Sequence, residues 1–150
     1  MFDLTKEFEE VRLVYKNKIK AQYRPMVRQP KEAQVILRQH WDESQIELVE
    51  EAKLLLLDRD KRLMSIAELA KGGTSSVIID PKIVFAIALK RRASGIIVAH
   101  NHPSGQLKPS DADMRLTRDL QSAGRFLGIQ MIDHIIMTRD GYHSMLSNDF

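Results

Sequence analysis

The alternation of apolar and polar residues predicts the elements of the first half of the chain. Residues 9–20 alternate in the manner of a β-strand, and residues 30–41 predict a helix that Pro30 opens. Apolar stretches at residues 47–58 and 63–69, joined by a short polar turn, predict an antiparallel pair of strands.

The second half of the chain is typical of an α/β protein. The run at residues 96–99 is continuous, β-branched and bounded by turn residues, which predicts a central strand buried on both faces. Around it the pattern predicts a short strand, a helix, a second helix closed by Gly128 and a final hairpin, over residues 76–79, 81–93, 111–128, 129–138 and 142–146. Together these elements predict a mixed sheet flanked by helices.

Composition and length limit the class of protein. With 150 residues, 43% of them hydrophobic and 29% charged, the chain suits one globular domain with an arm, which we place at residues 46–150 and 1–45. The absence of cysteine excludes disulfides and thiolate metal sites. No long apolar run or signal-like N-terminus is present, so we expect a soluble, cytoplasmic protein without a membrane segment.

A net charge of +3 is too small to predict a nucleic-acid partner, but its distribution is uneven. Residues 11–31 contain no acidic residue, and Tyr15 and Tyr23 stand among the basic ones, which are Arg12, Lys16, Lys18, Lys20, Arg24, Arg28 and Lys31. This segment is either a solvated edge strand or a phosphate-binding arm.

Residues 100–113, HNHPSGQLKPSDAD, contain the main candidate for chemistry. In extended backbone, residues two apart point to the same side, so His100 and His102 can direct two imidazoles at one metal ion. Asp113 lies in the first turn of the next predicted helix and can supply a carboxylate oxygen. Two imidazoles and one carboxylate leave the fourth position of a tetrahedral zinc open to water, which is the catalytic pattern.

Each part of this pattern also has a structural explanation. Ser110 and Asp113 have the spacing of a capping box, and Asn101 and Pro103 are residues that shape turns. The combination favours a metal site, because both histidines leave the end of a buried strand and the carboxylate opens the following helix.

The spacing of His100, His102, Ser110 and Asp113 resembles the JAMM (MPN-type) metalloprotease motif, and the whole string resembles its RadC version. Further similarity extends from about residue 47 to the end of the chain and includes Leu55-Leu56-Leu57-Asp58, Gly73-Thr74, Asp80-Pro81, Ala93, Thr117, Gly124, Leu127-Gly128 and Asp133-His134. The resemblance implies a JAMM/MPN-like, cytidine-deaminase-like three-layer sandwich.

The resemblance also implies a zinc-dependent hydrolase of amide or isopeptide bonds, acting on an unknown protein or peptide. In it Glu50 takes the part of the family's general base, with Glu51 as the fallback, and Ser110 donates to the oxyanion. Alternation would place Glu50 on a buried face, where a carboxylate needs a polar partner; a register shifted by one residue would leave it exposed.

The resemblance implies a second function as well, since RadC-like proteins carry a DNA-repair label. The helix-hairpin-helix module expected in the full-length form has no room in these 150 residues, which weakens this alternative. A homodimer would form if the arm added a strand to a neighbouring copy. Asp133 and His134 predict a buried, hydrogen-bonded pair, and we give them no catalytic role.

Overall fold

A computed structural model describes residues 1, 9–74 and 76–146 of the chain. After a 3-10 turn at Ala21–Tyr23, its elements are α1 (Pro30–Gln39), β1 (Glu51–Leu57), β2 (Leu63–Lys71), α2 (Pro81–Lys90), β3 (Gly95–Asn101), α3 (Asp111–Leu127), β4 (Gln130–Met137) and β5 (Tyr142–Ser144). The predicted divisions at residues 1–45 and 46–150 include residues 2–8, 75 and 147–150, which lie outside the described part.

The five strands form one mixed sheet in the order β2-β1-β3-β4-β5. β1 is antiparallel to both β2 and β3, β3 and β4 are parallel, and β4 and β5 form an antiparallel hairpin. The prediction that residues 96–99 form the central buried strand is confirmed, because every residue of β3 is buried.

Helices cover both faces of this sheet and create a core on each side. On one face, Ala33 and Leu37 of α1 pack with Leu55 and Ile97 of the sheet. On the other face, α2 and α3 pack against a second set of sheet residues, which includes Leu54, Leu56, Ile96 and Val98. The predicted mixed sheet flanked by helices, a three-layer α/β sandwich, is confirmed.

Local sequence signals set the limits of the helices that flank the candidate site. Asp80 caps α2 by accepting the N–H of Lys82, and Pro81 occupies the first turn. Ser110 caps α3, which ends at Gly128 in the left-handed conformation (φ 70°). The predicted starts of both helices and the end of α3 are correct, whereas α2 ends at Lys90 and not at residue 93; the cap fixes the start of α3 next to the end of β3.

Two predicted strands are wrong. Residues 9–20 form no strand: Val11 and Leu13 are 92% and 97% exposed, and no strand in the described part of the chain pairs with them to complete a ladder. Residues 76–79 are extended but unpaired, and their alternation reflects one-sided packing of Val77 and Ile79 against the domain. The strand predicted from residue 47 begins at Glu51.

The predicted arm is not separate from the domain beyond residue 26. Val27, Ala33 and Leu37 are fully buried in the same core as β1, β3 and β4. Within the described residues, no helix has the length and apolar composition needed to cross a bilayer. The homodimer stays a prediction.

Candidate metal centre

Two imidazoles and one carboxylate meet where β3 ends and α3 begins. The N–H of His102 donates to Met137 O at 2.9 Å, so the extended backbone continues past β3 and directs the rings of His100 and His102 to the α3 face. Their Nε2 atoms lie 2.9 Å apart. Asp113 Oδ1 lies 3.2 Å from His100 Nε2, and Oδ2 lies 3.5 Å from His102 Nε2. The structure therefore brings all three predicted ligands together.

Asp113 also belongs to the capping box of α3. Its Oδ2 accepts the N–H of Ser110 at 2.8 Å, and its own N–H donates to Ser110 Oγ at 3.1 Å. The structural explanation of this pair is thus correct, but it does not compete with the site, because Oδ1 takes no part in the cap and faces His100. Capping fixes the carboxylate in the position from which it reaches both imidazoles.

Glu50 lies one residue before β1 and is half-buried. Its N–H donates to Gly73 O at 3.2 Å and its carbonyl accepts from Gly72 N–H at 2.7 Å, so the β1–β2 pairing continues through it. Glu50, His100 and His102 each offer one ligand atom, and these three atoms lie within 4.8 Å of one another. Such a group can hold a metal ion. The register shifted by one residue is not observed.

Glu51, the fallback for the general base, points to the other face of the sheet. It is 4% exposed and forms ion pairs of 3.4 Å with Lys53 and 3.3 Å with Lys71. The Lys53 ammonium in turn lies 5.1 Å from the ring centroid of Trp41. Of these two glutamates, the geometry therefore places Glu50 beside the imidazoles.

Asn101 holds the segment that carries Glu50 against β3. Its buried side chain donates to Ile46 O at 2.7 Å and Val49 O at 2.9 Å, and its Oδ1 accepts the N–H of Glu51 at 2.7 Å. Sequence reasoning assigned Asn101 only to a turn. Because Asn101 lies between the two histidines in extended backbone, its side chain points to the opposite face of the sheet.

The outer ring nitrogens of both histidines have partners that the sequence did not reveal. His102 Nδ1 lies 2.8 Å from Gln106 O, and His100 Nδ1 lies 2.8 Å from Nε2 of the fully buried His134. His134 Nδ1 lies 2.7 Å from Thr117 Oγ1. His134 was predicted to be buried and hydrogen-bonded, which is correct, but its partner is a residue of the site.

The titratable groups of the centre influence one another. Burial opposes the ionisation of Asp113, but the imidazoles of His100 and His102 beside it hold its pKa well below the usual range. The hydrogen bond to Asp113 raises the pKa of His102, and burial raises the pKa of Glu50. The centre thus combines an ionised carboxylate with a second carboxyl group whose proton affinity is increased.

Burial also lowers the pKa of His134, to about 3. The nearby imidazole of His100 acts in the same direction. His134 is therefore neutral at physiological pH, and one of its two ring nitrogens is an acceptor.

Ser110 is exposed at the start of α3. Its Oγ accepts the Asp113 N–H, but a hydroxyl that accepts still carries its own proton to donate. Capping therefore leaves the Ser110 hydroxyl able to act as the predicted oxyanion donor.

Comparison with known proteins gives one family match and many relatives. The model of a family described as "RadC-like JAB domain" matches residues 27–150. A UPF0758 protein of Syntrophomonas wolfei is 34% identical over 131 residues, which cover 83% of this chain and 53% of that protein. A UPF0758 protein of Flavobacterium johnsoniae is 40% identical over 97 residues, covering 65% and 42%.

A third relative, the UPF0758 protein of Finegoldia magna, is 43% identical over 97 residues, covering 65% of this chain and 44% of that protein. This chain therefore spans about half the length, or less, of the curated relatives it matches. The matched part includes the strand and helix that carry His100, His102 and Asp113, because the family match begins at residue 27 and runs to the end.

Proposed function

We propose that this chain, which belongs to the family of RadC-like JAB domains, is a zinc-dependent hydrolase of the metallopeptidase type that cleaves amide or isopeptide bonds with water. The observation that supports this most strongly is the meeting of two Nε2 atoms and two carboxylates at the junction of β3, α3 and β1. Nitrogen and carboxylate donors in a chain without cysteine are a ligand set that zinc accepts.

The ring orientations fit a metal ion between the donors. A carbonyl only accepts hydrogen bonds, so the contact with Gln106 O places a proton on Nδ1 of His102 and leaves the inward-facing Nε2 as the nitrogen that can bind a metal ion in the neutral ring. Nε2 of His100 lies 2.9 Å away, beside the ionised Asp113. Zinc held by these three residues would supply a Lewis acid that polarises the scissile carbonyl and lowers the pKa of a water molecule.

The remaining residues would move protons and hold the substrate oxygen. As water adds to the carbonyl carbon, Glu50 accepts one of its protons; the proton then passes to the nitrogen when the C–N bond breaks, so an amine and a carboxylic acid leave. The raised pKa of Glu50 suits both steps. The Ser110 hydroxyl would donate to the carbonyl oxygen as negative charge develops there.

Metal content and hydrolysis test this proposal together. The purified protein is expected to contain one zinc ion per chain by elemental analysis. It is expected to cleave members of a pool of fluorescence-quenched peptides and lysine-linked isopeptides, and a chelator should abolish cleavage until zinc is restored. A protein that binds no zinc, or whose hydrolysis survives chelation, contradicts the proposal.

A second candidate function is the binding of nucleic-acid phosphates by the basic arm, and the surroundings of Tyr15, Lys16 and Lys18 favour it. The guanidinium groups of Arg91 and Arg92 lie 5.8 and 5.1 Å from the ring centroid of Tyr15. Lys16 and Lys18 line a cavity of about 350 Å³ together with Arg91. The arm thus concentrates positive charge at the end of α2, as phosphate binding requires.

DNA binding across a salt series tests this second function. If Lys16 and Lys18 contact phosphates, the logarithm of the affinity for a labelled duplex falls linearly with the logarithm of salt concentration. Replacing both by glutamine should reduce the slope by about two, since each phosphate contact contributes about one. The control Lys82→Gln, at the other end of α2, should leave the slope unchanged. A slope that stays flat for the unmodified protein excludes this function.

A further inference from the structure

A buried chain of hydrogen bonds links α3, β4 and β3 behind the candidate metal centre. It runs from the main-chain carbonyl of Asp113 through Thr117 Oγ1 and the ring of His134 to Nδ1 of His100, with separations of 2.7, 2.7 and 2.8 Å. Thr117, His134 and His100 are 4%, 0% and 2% exposed. Solvent therefore does not compete for these bonds.

The chemistry of its first member fixes the direction of the whole chain. The carbonyl of Asp113 has no proton, so in this 2.7 Å contact the Thr117 hydroxyl is the donor; Met145 Sδ, 3.8 Å from the same hydroxyl, is a much weaker acceptor. Thr117 Oγ1 then accepts from His134, which places the proton of that ring on Nδ1. Nε2 of His134 is consequently an acceptor, and it takes the N–H of His100 Nδ1. In the neutral ring of His100, the nitrogen without a proton is then Nε2, which faces Asp113 and His102.

We propose that Thr117 and His134 are positioning residues that select the tautomer of His100 able to bind a metal ion through Nε2. This rests on the proposed function of the site, whose metal it serves. Metal-binding histidines commonly donate their second N–H to a carboxylate, a carbonyl or water. Here a neutral imidazole accepts that bond, and its own N–H is in turn received by a hydroxyl.

The chain also couples two of the three predicted ligands. Thr117 bonds to the main chain of Asp113, four residues earlier in α3, while His134 bonds to the ring of His100. A shift of α3 relative to β4 would therefore disturb the Asp113 carboxylate and the His100 ring together. This relay, formed by Thr117 and His134, therefore connects the two ligands through α3 and β4.

Two measurements on hydroxyl variants test the relay. Thr117→Val removes the hydroxyl and keeps the shape, whereas Thr117→Ser keeps the hydroxyl and is the matched control. In Thr117→Val the Nδ1–H of His134 loses its acceptor, so we expect its proton to move to Nε2, which forces the proton of His100 onto its own Nε2. Zinc affinity, measured by competition with a chelator, should fall by about 10- to 100-fold. Thr117→Ser should stay close to the unmodified protein.

The tautomers themselves can be read from the metal-free protein. Ring ¹⁵N shifts of ¹⁵N-histidine-labelled protein should show the Nδ1–H form of His100 in the unmodified chain and in Thr117→Ser, and the Nε2–H form in Thr117→Val. A role confined to stability would lower the melting temperature of Thr117→Val but leave this signal in place.

A second pair of variants tests the relay in case Thr117→Val does not fold. His134→Gln retains an amide oxygen that can accept from His100 and should bind zinc more tightly than His134→Leu. The relay is rejected if unmodified His100 carries its proton on Nε2, or if folded Thr117→Val binds zinc as well as Thr117→Ser. If instead the unmodified protein binds no zinc, the proposed function fails, while the ¹⁵N spectra still decide the relay.

Discussion

Asp113→Asn is expected to abolish stoichiometric zinc binding while leaving α3 intact. The carboxylate of Asp113 lies within 3.2 and 3.5 Å of the two imidazoles and is ionised at neutral pH, because the neighbouring rings lower its pKa. An amide has no charge to offer the metal, but its oxygen can still accept the N–H of Ser110 and preserve the cap. Chelator competition should show a loss of more than about 100-fold, above the range for residues that only support ligands.

The matched control for this variant is Asp111→Asn. Asp111 lies in the same first turn of α3 but is exposed and makes none of the described contacts with the imidazoles. The Asp111→Asn protein should therefore bind one zinc ion. Without metal, both variants should have a melting temperature near that of the unmodified metal-free protein. Full zinc content in Asp113→Asn, combined with its loss in Glu50→Gln, would show that Glu50 and not Asp113 is the carboxylate ligand.

The position of the candidate ligands could be predicted because each depends on local rules. The continuous run at residues 96–99 identified a buried strand, and alternation beyond it placed His100 and His102 on one side. The capping signal at Ser110 fixed the start of α3, and with it the position of Asp113.

The face on which Glu50 lies could be predicted from the same alternation rule. It shares a face with Leu54 and Leu56, as predicted, although it lies just before the strand in which it was expected.

His134 and Thr117 could not be placed in this way, because their positions depend on pairing between distant segments. β4 pairs with β3 in parallel, but the register shifts by one residue after Ile96. Without that shift, His134 would lie on the α1 face; with it, the ring lies on the α3 face beside His100. The Asp133-His134 pair gave a signal of burial only, and nothing in the local pattern indicates a bulge.

The two wrong strands show a related limit. An alternating pattern reports which side of an extended segment faces the protein, but a strand also needs a neighbour to receive its backbone hydrogen bonds. Residues 9–20 and 76–79 have no such neighbour among the described residues. The segment at residues 76–79 still contacts the site, because the backbone of Val77 forms a hydrogen bond with the Glu50 carboxyl group.

Glu50→Gln is expected to lower kcat for peptide or isopeptide hydrolysis by about 10²- to 10⁴-fold, while the zinc content stays at one per chain. Glutamine has nearly the same shape as glutamate but cannot accept a proton from the attacking water or return it to the leaving amine. Glu50 lies beside His100 and His102, where it can reach a water molecule on the metal. Initial rates at neutral pH and saturating substrate, with metal content measured on the same preparation, provide the test.

Glu51→Gln is the matched control, because it makes the same change one residue along the chain and on the opposite face of the sheet. It breaks the ion pairs with Lys53 and Lys71 and should reduce stability, since Lys53 is buried and loses a partner. Assayed well below its melting temperature, it should retain most of the activity. If Glu51→Gln were inactive and Glu50→Gln active, proton transfer could not depend on the carboxylate beside the imidazoles, and the hydrolytic mechanism proposed for this site would be wrong.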